Sequence, residues 1–215
     1  MASHSMLADL TGKSLFAAFI IGSITSSACA HPHAWIDVRT TVVLSAPATI
    51  SAIREEWTFD KLYTNTVLTD SSGKLKPLDE FTQSAMRHLG PYHYFLELRG
   101  GGGQPAVGEA VDAKGEVRNG SLILRFTAPL AMPLDISKSA LTLAVYDPTY
   151  YIDFEHVKSH PILFEGPGAH GCVAGIKQAT PSIQAQGQAA AMDRGAPANP
   201  TLGRLFAQFV SIHCS

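Results

Sequence analysis

Long hydrophobic runs and cysteines are both scarce in this sequence. Its 215 residues include three cysteines and one long apolar run, at 15–24, which is too short to span a bilayer. The 16 basic and 18 acidic residues leave a net charge of −2, without a basic patch or a run of one sign. These absences argue against nucleic-acid binding and against membrane insertion of the mature chain. The length suits one well-buried domain.

Recognisable catalytic motifs are also missing. The chain has no Gly-x-Ser-x-Gly and no His-Glu-x-x-His, and no pair of carboxylates is singled out by its context. The glycines at 100–103 lack the following helix that a phosphate-binding loop needs, and they fit a hairpin tip better. The sequence therefore predicts a protein that is not an enzyme, with a copper-dependent oxidase as the enzyme alternative.

The first thirty residues have the features of a cleaved secretion signal. Lys13 precedes the apolar run, and Ala28 and Ala30 occupy the −3 and −1 positions of an Ala-x-Ala cleavage site. Such a signal directs export to the periplasm, and cleavage after Ala30 would leave a mature chain that begins at residue 31. The alternative is a lipoprotein that retains Cys29, but the leucine usual three positions before a lipidated cysteine is missing.

The mature N-terminus predicts a metal site. The α-amine and Nδ1 of His31 can chelate one ion together, and His33 can add a second imidazole. Pro32 has no backbone N–H to lose, which blocks the competing square-planar mode that uses deprotonated amides. Asp37 and Asp60 are candidate further ligands. Amine and imidazole suit Cu, Ni, Co and Zn alike. The alternative is that both histidines are ordinary polar residues at a mobile terminus.

Other titratable side chains have weaker claims to this site. Asp60 is equally suited to cap a helix that starts at the next residue. Glu56 is a candidate acceptor that orients an imidazole. The roles of four further histidines stay open: His88, His93, His156 and His160. His156 and His160 are four residues apart, and this spacing brings both side chains to one metal ion only if the segment is helical.

Cys172 and Cys214 are the pair that is left once Cys29 leaves with the signal. In an oxidising compartment, a disulfide is the default expectation for such a pair. It would close a loop of roughly 43 residues and contribute on the order of 4 kcal/mol in the chain-entropy model.

Residues 31–172 predict a mainly β domain. Alternating apolar and polar residues predict strands at 35–44, 49–59, 92–98, 106–117, 122–129, 141–146, 150–154 and 161–164. Helical spacing predicts short helices at 61–68 and 78–89. Asn119-Gly120 is the strongest hairpin signal. About seven short strands separated by turns predict an antiparallel, immunoglobulin-like β-sandwich with small helical insertions.

The composition changes after Cys172. Residues 173–199 are rich in Ala, Gln, Gly and Pro, which predicts a surface linker. Residues 200–215 then place five large apolar residues on one helical stripe: Leu202, Leu205, Phe206, Phe209 and Val210. This spacing predicts a C-terminal helix, which the disulfide would clip back onto the sandwich.

Four short motifs are distributed along the mature chain: His-Pro-His-Ala-Trp-Ile-Asp at 31–37, Glu-Trp-Thr-Phe-Asp at 56–60, Tyr-Asp-Pro-Thr-Tyr at 146–150 and Gly-Arg-Leu-Phe at 203–206. In these motifs the chain resembles a bacterial family of unknown function, whose members are described as the periplasmic component of an uncharacterised ABC-type transport system. The resemblance implies a link to nickel, cobalt or zinc transport, with a metal ion and a membrane transporter as partners. The alternative is a binding or assembly module that works beside a transporter without a metal.

The chain also resembles, more loosely, periplasmic copper carriers of the CopC type. These too are β-sandwiches whose mature chain starts with His-x-His. The likeness is an analogy of fold and terminus, and it adds copper to the candidate metals.

Overall fold

The structure is a computed structural model that describes residues 32–70, 72–100, 103–192 and 199–215. The predicted signal segment and His31 lie outside this part of the chain. The strands in chain order are β1 (Ala34–Ala46), β2 (Thr49–Phe59), β3 (Leu96–Arg99), β4 (Val111–Arg118), β5 (Ser121–Asp135), β6 (Leu141–Val145), β7 (Ile152–His156), β8 (Ile162–Glu165), β9 (Cys172–Lys177) and β10 (Phe209–Cys214). The α-helices are α1 (Lys61–Leu68), α2 (Leu78–Leu89) and α3 (Ile183–Met192).

Two sheets share one apolar core, which confirms the predicted mainly β, sandwich-like fold. Sheet A has the order β4-β5-β2-β1-β7, with β8 also beside β1, and sheet B has the order β3-β6-β10-β9. Among the described residues, no helix has both the length and the apolar character that crossing a membrane requires.

Pairing in sheet A departs from the purely antiparallel arrangement that the sequence predicted. β1 pairs antiparallel with β2 but parallel with both β7 and β8. β7 lies along the first part of β1 and β8 along the later part, so the two behave as one interrupted edge strand. A parallel pair requires a long crossover, and here most of the chain separates the partners. Such a pairing leaves no local sequence signal.

The core centres on Trp57, which is 1% exposed on the inner face of β2. Phe126 and Phe154 meet its ring edge-on, each with centroids 5.0 Å away. Phe95 lies nearly parallel to it with the centroids 6.4 Å apart. This aromatic cluster joins β2, β5 and β7 to the 3-10 segment Gly90–Phe95 that follows α2.

The two insertion helices have the bounds that the sequence predicted. α1 starts directly after its N-cap, Asp60, whose carboxylate accepts the backbone N–H of Tyr63 at 2.8 Å. α2 approaches β4 closely at Gly115, where an added Cβ would lie 2.4 Å from the hydroxyl of Thr82. Only a glycine allows the helix to pass so near the strand.

The prediction of a helix at 200–213 is wrong. This segment contains the short 3-10 turn Gly203–Leu205 and then strand β10. Val210 and Ile212 alternate inward along β10, while Ser211 and His213 face out. β6 and β9 hydrogen-bond to β10 on its two sides, and these long-range pairings outweigh the helical spacing of the apolar residues.

The predicted linker 173–199 is also largely wrong. It contains most of β9 and all of α3, which is the helix nearest the C-terminus. α3 buries Ala185 and Ala189, and Ala189 belongs to a small apolar cluster with Tyr150 and Leu202. Small alanines allow close packing, so a segment with hardly any large apolar residue still forms a docked helix.

The predicted disulfide is confirmed between Cys172 and Cys214. The two cysteines are direct partners in the β9–β10 ladder, with Cα atoms 4.0 Å apart. The bond therefore joins two neighbouring strands of sheet B, rather than clipping a helix to the sandwich.

Candidate functional site

The predicted metal site lies at the start of β1. Pro32 is buried, and His33 is exposed one residue before the strand begins. The backbone N–H of His33 donates to the carbonyl of Tyr151 at 2.9 Å. The rings of the same two residues lie with centroids 4.7 Å apart. His33 is thus held by its backbone to the segment that leads into β7.

Asp147 organises the loop that holds His33. Its Oδ1 accepts the backbone N–H and hydroxyl of Thr149, both at 2.9 Å. Its Oδ2 accepts the backbone N–H groups of Tyr151 and Ile152 at 3.0 and 3.1 Å. The sequence placed Asp147 in the motif at 146–150 but did not predict this structural role, although Asp-Pro-Thr is a recognisable turn in which aspartate bonds to the backbone two residues later.

Asp60 has two structural roles beside this terminus. Its Oδ1 caps α1, as predicted, and its Oδ2 accepts the backbone N–H of Trp35 at 3.1 Å. In return, the Asp60 N–H donates to the Trp35 carbonyl at 3.0 Å. The carboxylate therefore joins the end of β2, the start of α1 and the start of β1. Its role as a metal ligand stays a prediction.

Asp37 lies on the exposed face of β1, two residues beyond Trp35, opposite Thr58 of β2 and Glu155 of β7. Across the ranges that the structure covers, no three or more His, Cys, Asp or Glu side chains are close enough together to hold a metal ion. The predicted core ligands were the α-amine, His31 and His33, and two of these three lie outside those ranges. Asp37 and His33 alone would not make a complete site.

Glu56 contacts arginines, whereas the sequence predicted that it orients an imidazole. Its Oε1 accepts from Arg39 and its Oε2 from Arg125, both at 2.7 Å. Arg125 also contacts Glu116 at 3.0 Å. These side chains form a row of alternating charge across the outer face of sheet A, on β1, β2, β5 and β4.

The histidines with open roles are dispersed. His156 is buried on β7, a strand, so the helical spacing to His160 does not apply. Its Nδ1 lies 2.8 Å from Oε1 of Gln208, and burial lowers the pKa of its imidazole. Since an amide oxygen only accepts, Nδ1 of His156 carries the hydrogen in this contact. His88 lies on α2, and His93 lies in the 3-10 segment after it.

An ion-pair cluster around the nearly buried Glu97, which the sequence analysis missed, joins β3 to the C-terminal region. Arg204 donates to both carboxylate oxygens of Glu97, at 3.1 and 3.2 Å. Arg99 and the hydroxyl of Tyr146 donate to the same carboxylate. Burial raises the pKa of Glu97, but these hydrogen bonds outweigh it and bring the pKa to about 2. The cluster connects the motifs at 146–150 and 203–206.

Glu55 is a fully buried carboxyl in the core, and it too was missed. The hydroxyl of Thr40 lies 3.0 Å from each of its oxygens, and the indole N–H of Trp57 is nearby without a proper hydrogen-bond geometry. Burial raises the pKa of Glu55 to about 8, because the charged form loses its hydration. The folded protein therefore holds this carboxyl protonated at neutral pH.

These features define a mainly β, sandwich-like protein with a disulfide between its last two strands. The chain belongs to the family described as "Protein of unknown function (DUF1007)", whose model matches residues 16–214. This membership confirms the resemblance to a family of unknown function. The metal and transport roles stay predictions.

Two similar proteins have equally general names. An "Uncharacterized protein" of Haemophilus influenzae is 26% identical over 205 residues, which cover 89% of this chain and 94% of the relative. An "Uncharacterized 15.5 kDa protein in trpE 3'region" of Spirochaeta aurantia is 31% identical over 109 residues, or 50% of this chain and 76% of the relative. The similarity to the first extends over nearly the whole chain.

Proposed function

We propose that the chain is exported to the periplasm and binds one divalent transition-metal ion there through its α-amine, His31 and His33. It would act as an accessory protein of a transition-metal transport system. The sequence motif and the resemblance described above support the transport role. The position of His33 supports the metal-binding role.

The anchoring of His33 is the observation that matters most. Its backbone N–H donates to the Tyr151 carbonyl, and the carboxylate of Asp147 in turn accepts the backbone N–H of Tyr151. An anchored residue loses less conformational freedom when it binds an ion, so more of the binding energy is retained.

The disulfide supports the proposed compartment. Disulfides persist in the periplasm and are rare in the reducing cytosol. The Cys172–Cys214 bond joins two strands of sheet B and is part of the folded protein. An exported chain is also the one in which a signal peptidase creates the amine ligand, because that amine exists only after cleavage at Ala30.

Asp37 is the better placed of the two candidate carboxylate ligands. It is exposed on β1, four residues after His33, whereas both oxygens of Asp60 already accept backbone N–H groups. The metal is copper, nickel, cobalt or zinc, and the affinity order of such sites favours Cu(II). Affinity should fall in acid, because amine and imidazole bind metals only when deprotonated.

The test is calorimetric titration of Cu(II), Ni(II), Co(II) and Zn(II) into protein that starts at His31. A matched form with one added N-terminal residue keeps both imidazoles but moves the amine, and it should bind at least tenfold more weakly. His33→Asn should weaken binding, while His160→Asn, which removes another exposed histidine, should not.

Equal binding by the two N-terminal forms, or no binding by either, would contradict the proposal. The first result would favour a site elsewhere in the chain, and the second a module that works without a metal. Copper-dependent oxygen consumption with a reductant would identify an oxidase instead.

A further inference from the structure

An apolar cavity of about 250 Å³ lies between α2 and the inner face of sheet A. Most of its lining side chains are aromatic or aliphatic, including Trp57, Phe59, Tyr63, Phe81, Phe95 and Ile152. Its twelve lining residues include no Asp, Glu, Lys or Arg. The polar groups on its wall come chiefly from Ser84 and His88 of α2 and from Tyr63 of α1.

The cavity is maintained from one side by the way α2 is anchored. Near its N-terminal end, α2 touches β4 at Gly115, where Thr82 and Leu78 make the contact. The second half of the helix, with Ala85, His88 and Leu89, borders the cavity. The first half of the helix thus contacts the sheet, and its second half forms one wall of the cavity.

The opposite wall contains an unusual backbone segment. His93, Tyr94 and Phe95 follow one another with φ of 51°, 55° and 58°. Left-handed backbone is unfavourable for residues other than glycine. This segment brings the Phe95 ring against Trp57 and Phe154. Strain of this kind persists only where the surroundings impose it, and it clusters at ligand sites.

The rim of the cavity carries one defined hydrogen-bond acceptor. Nδ1 of His88 lies 2.7 Å from the backbone carbonyl of Ser84. Because a carbonyl oxygen can only accept, Nδ1 carries the hydrogen, and in the neutral ring Nε2 then presents a lone pair. His88 is one of the lining residues, so this lone pair is a candidate acceptor for a donor on a bound ligand.

We propose that this cavity binds a small, uncharged aromatic molecule with one hydrogen-bond donor, of the phenol class. The aromatic walls match a flat ring, and a charge would be buried without a partner. An apolar cavity of about 150 Å³ is known to accept benzene, so this one has room for one or two fused rings. The ligand's hydroxyl would donate to Nε2 of His88. This site is independent of the proposed metal site.

The two tryptophans give a direct measurement. Trp57 lines the cavity, whereas Trp35 is 52% exposed and outside the lining. We expect 2-naphthol, added to ¹⁵N-labelled protein, to shift the indole N–H resonance of Trp57 and leave that of Trp35 in place. Naphthalene should cause the same shift at higher concentration, and 2-naphthoate should cause none. Trp35→Phe assigns the two resonances.

Two pairs of variants make the test specific. Ala85→Leu fills the cavity and should weaken 2-naphthol binding more than tenfold, while Gln83→Leu on the exposed side of α2 should not. His88→Phe keeps a ring but removes the acceptor, and should weaken 2-naphthol about threefold to tenfold without weakening naphthalene. Arg87→Ala is the exposed control for this change.

Each contrary result contradicts a definite part of the proposal. If neither 2-naphthol nor naphthalene shifts Trp57, or if Ala85→Leu binds as well as wild type, the cavity is not the site. If His88→Phe weakens both ligands equally or neither, the donor requirement is wrong. Since His88 is exposed, its replacement should leave the fold intact, and a thermal melt checks this for all variants.

Discussion

Arg204 binds the carboxylate of Glu97 through two hydrogen bonds, although the two residues are 107 positions apart. The guanidinium of Arg204 also lies over the ring of Phe209, 4.9 Å from its centroid. Glu97 is nearly buried on β3, and Tyr146 and Arg99 complete its set of donors. This cluster fastens the chain just before β10 to β3, which is an edge strand of sheet B.

Glu97→Gln should lower the free energy of unfolding by about 1–3 kcal/mol at pH 7, because charge-assisted hydrogen bonds are lost. The pKa of Glu97 is lowered to about 2 in the folded protein. Its contribution is therefore fully present above its unfolded pKa of about 4.5 and is lost as the pH falls toward 2. Urea unfolding between pH 7 and pH 2.5 should show the two proteins converging. Glu116→Gln, in a more exposed ion pair, should have little effect.

Gly203→Ala should destabilise the protein by about 2–4 kcal/mol. An added Cβ would lie 1.8 Å from the Asp147 carbonyl, and the Gly203 N–H donates to the Pro148 carbonyl at 2.9 Å. Both neighbours are backbone atoms, so neither can yield without moving the loop. Gly187→Ala on α3 is the matched control, since an added Cβ there meets nothing within 4 Å. It should be neutral or stabilising by up to about 1 kcal/mol. Equal thermal melts for the two variants would contradict this prediction.

Between pH 4.5 and pH 8, the free energy of unfolding of Glu55→Gln should rise relative to that of wild type by about 4 kcal/mol. Burial raises the pKa of Glu55 to about 8 in the folded protein, so the unfolded chain releases this proton at a lower pH than the folded one. The wild type therefore loses stability as the pH rises from about 4.5 to about 8. Glutamine carries no such proton. Denaturant unfolding across this range is the measurement, with the exposed Glu109→Gln as control.

Replacing Cys172 and Cys214 together by serine should lower the free energy of unfolding by about 2–5 kcal/mol. β9 is an edge strand with mostly exposed residues, so its amides should show the larger increase in hydrogen exchange. β10 is paired on both sides and should stay protected. Reductant should bring the wild type to the stability of the double variant and leave the variant unchanged. No response of the wild type, with both thiols shown to be reduced, would contradict the role given to the bond.

Two substitutions at Asp60 separate its cap from its predicted ligand role. Asp60→Ala should cost about 1–2 kcal/mol, because the N-cap of α1 and the bond to Trp35 are both lost. Asp60→Asn keeps one oxygen for the cap, but its NH₂ group cannot accept the second backbone N–H, so it should cost about 1 kcal/mol. If Asp60 also binds the metal, the asparagine variant will bind it more weakly although its stability falls less than that of the alanine variant. Calorimetric titration and thermal melts of both variants distinguish the two outcomes.

The helix bounds and hairpins followed from the sequence, because their signals are local. α1 begins after Asp60 as predicted, and α2 covers the predicted residues because its apolar spacing and the following Gly90-Pro91 are near one another in the chain. The hairpin at Asn119-Gly120 was also predicted from a local signal, because both residues readily take the left-handed φ that such a turn requires. The cysteine pairing was predicted by counting, once Cys29 was assigned to the signal.

The candidate site was only partly foreseen for a different reason. Composition and spacing identify His33 and Asp37 as possible ligands, but they do not show which groups hold them. The anchoring of His33 by Tyr151 and Asp147 depends on β7 pairing with β1, more than a hundred residues earlier in the chain. The arginine partners of Glu56 likewise come from two different neighbouring strands.

The sequence by itself determined the local elements, the mainly β class, the disulfide pair and the family motifs, because each depends on residues that are close in the chain or can be counted. Only the tertiary structure decided that 209–214 is a strand, that β1 has parallel partners and that Glu55 and Glu97 are buried with opposite pKa shifts. Those outcomes arise from contacts between distant segments. There, hydrogen bonds from neighbouring strands and the loss of water outweigh what the local pattern of apolar residues favours.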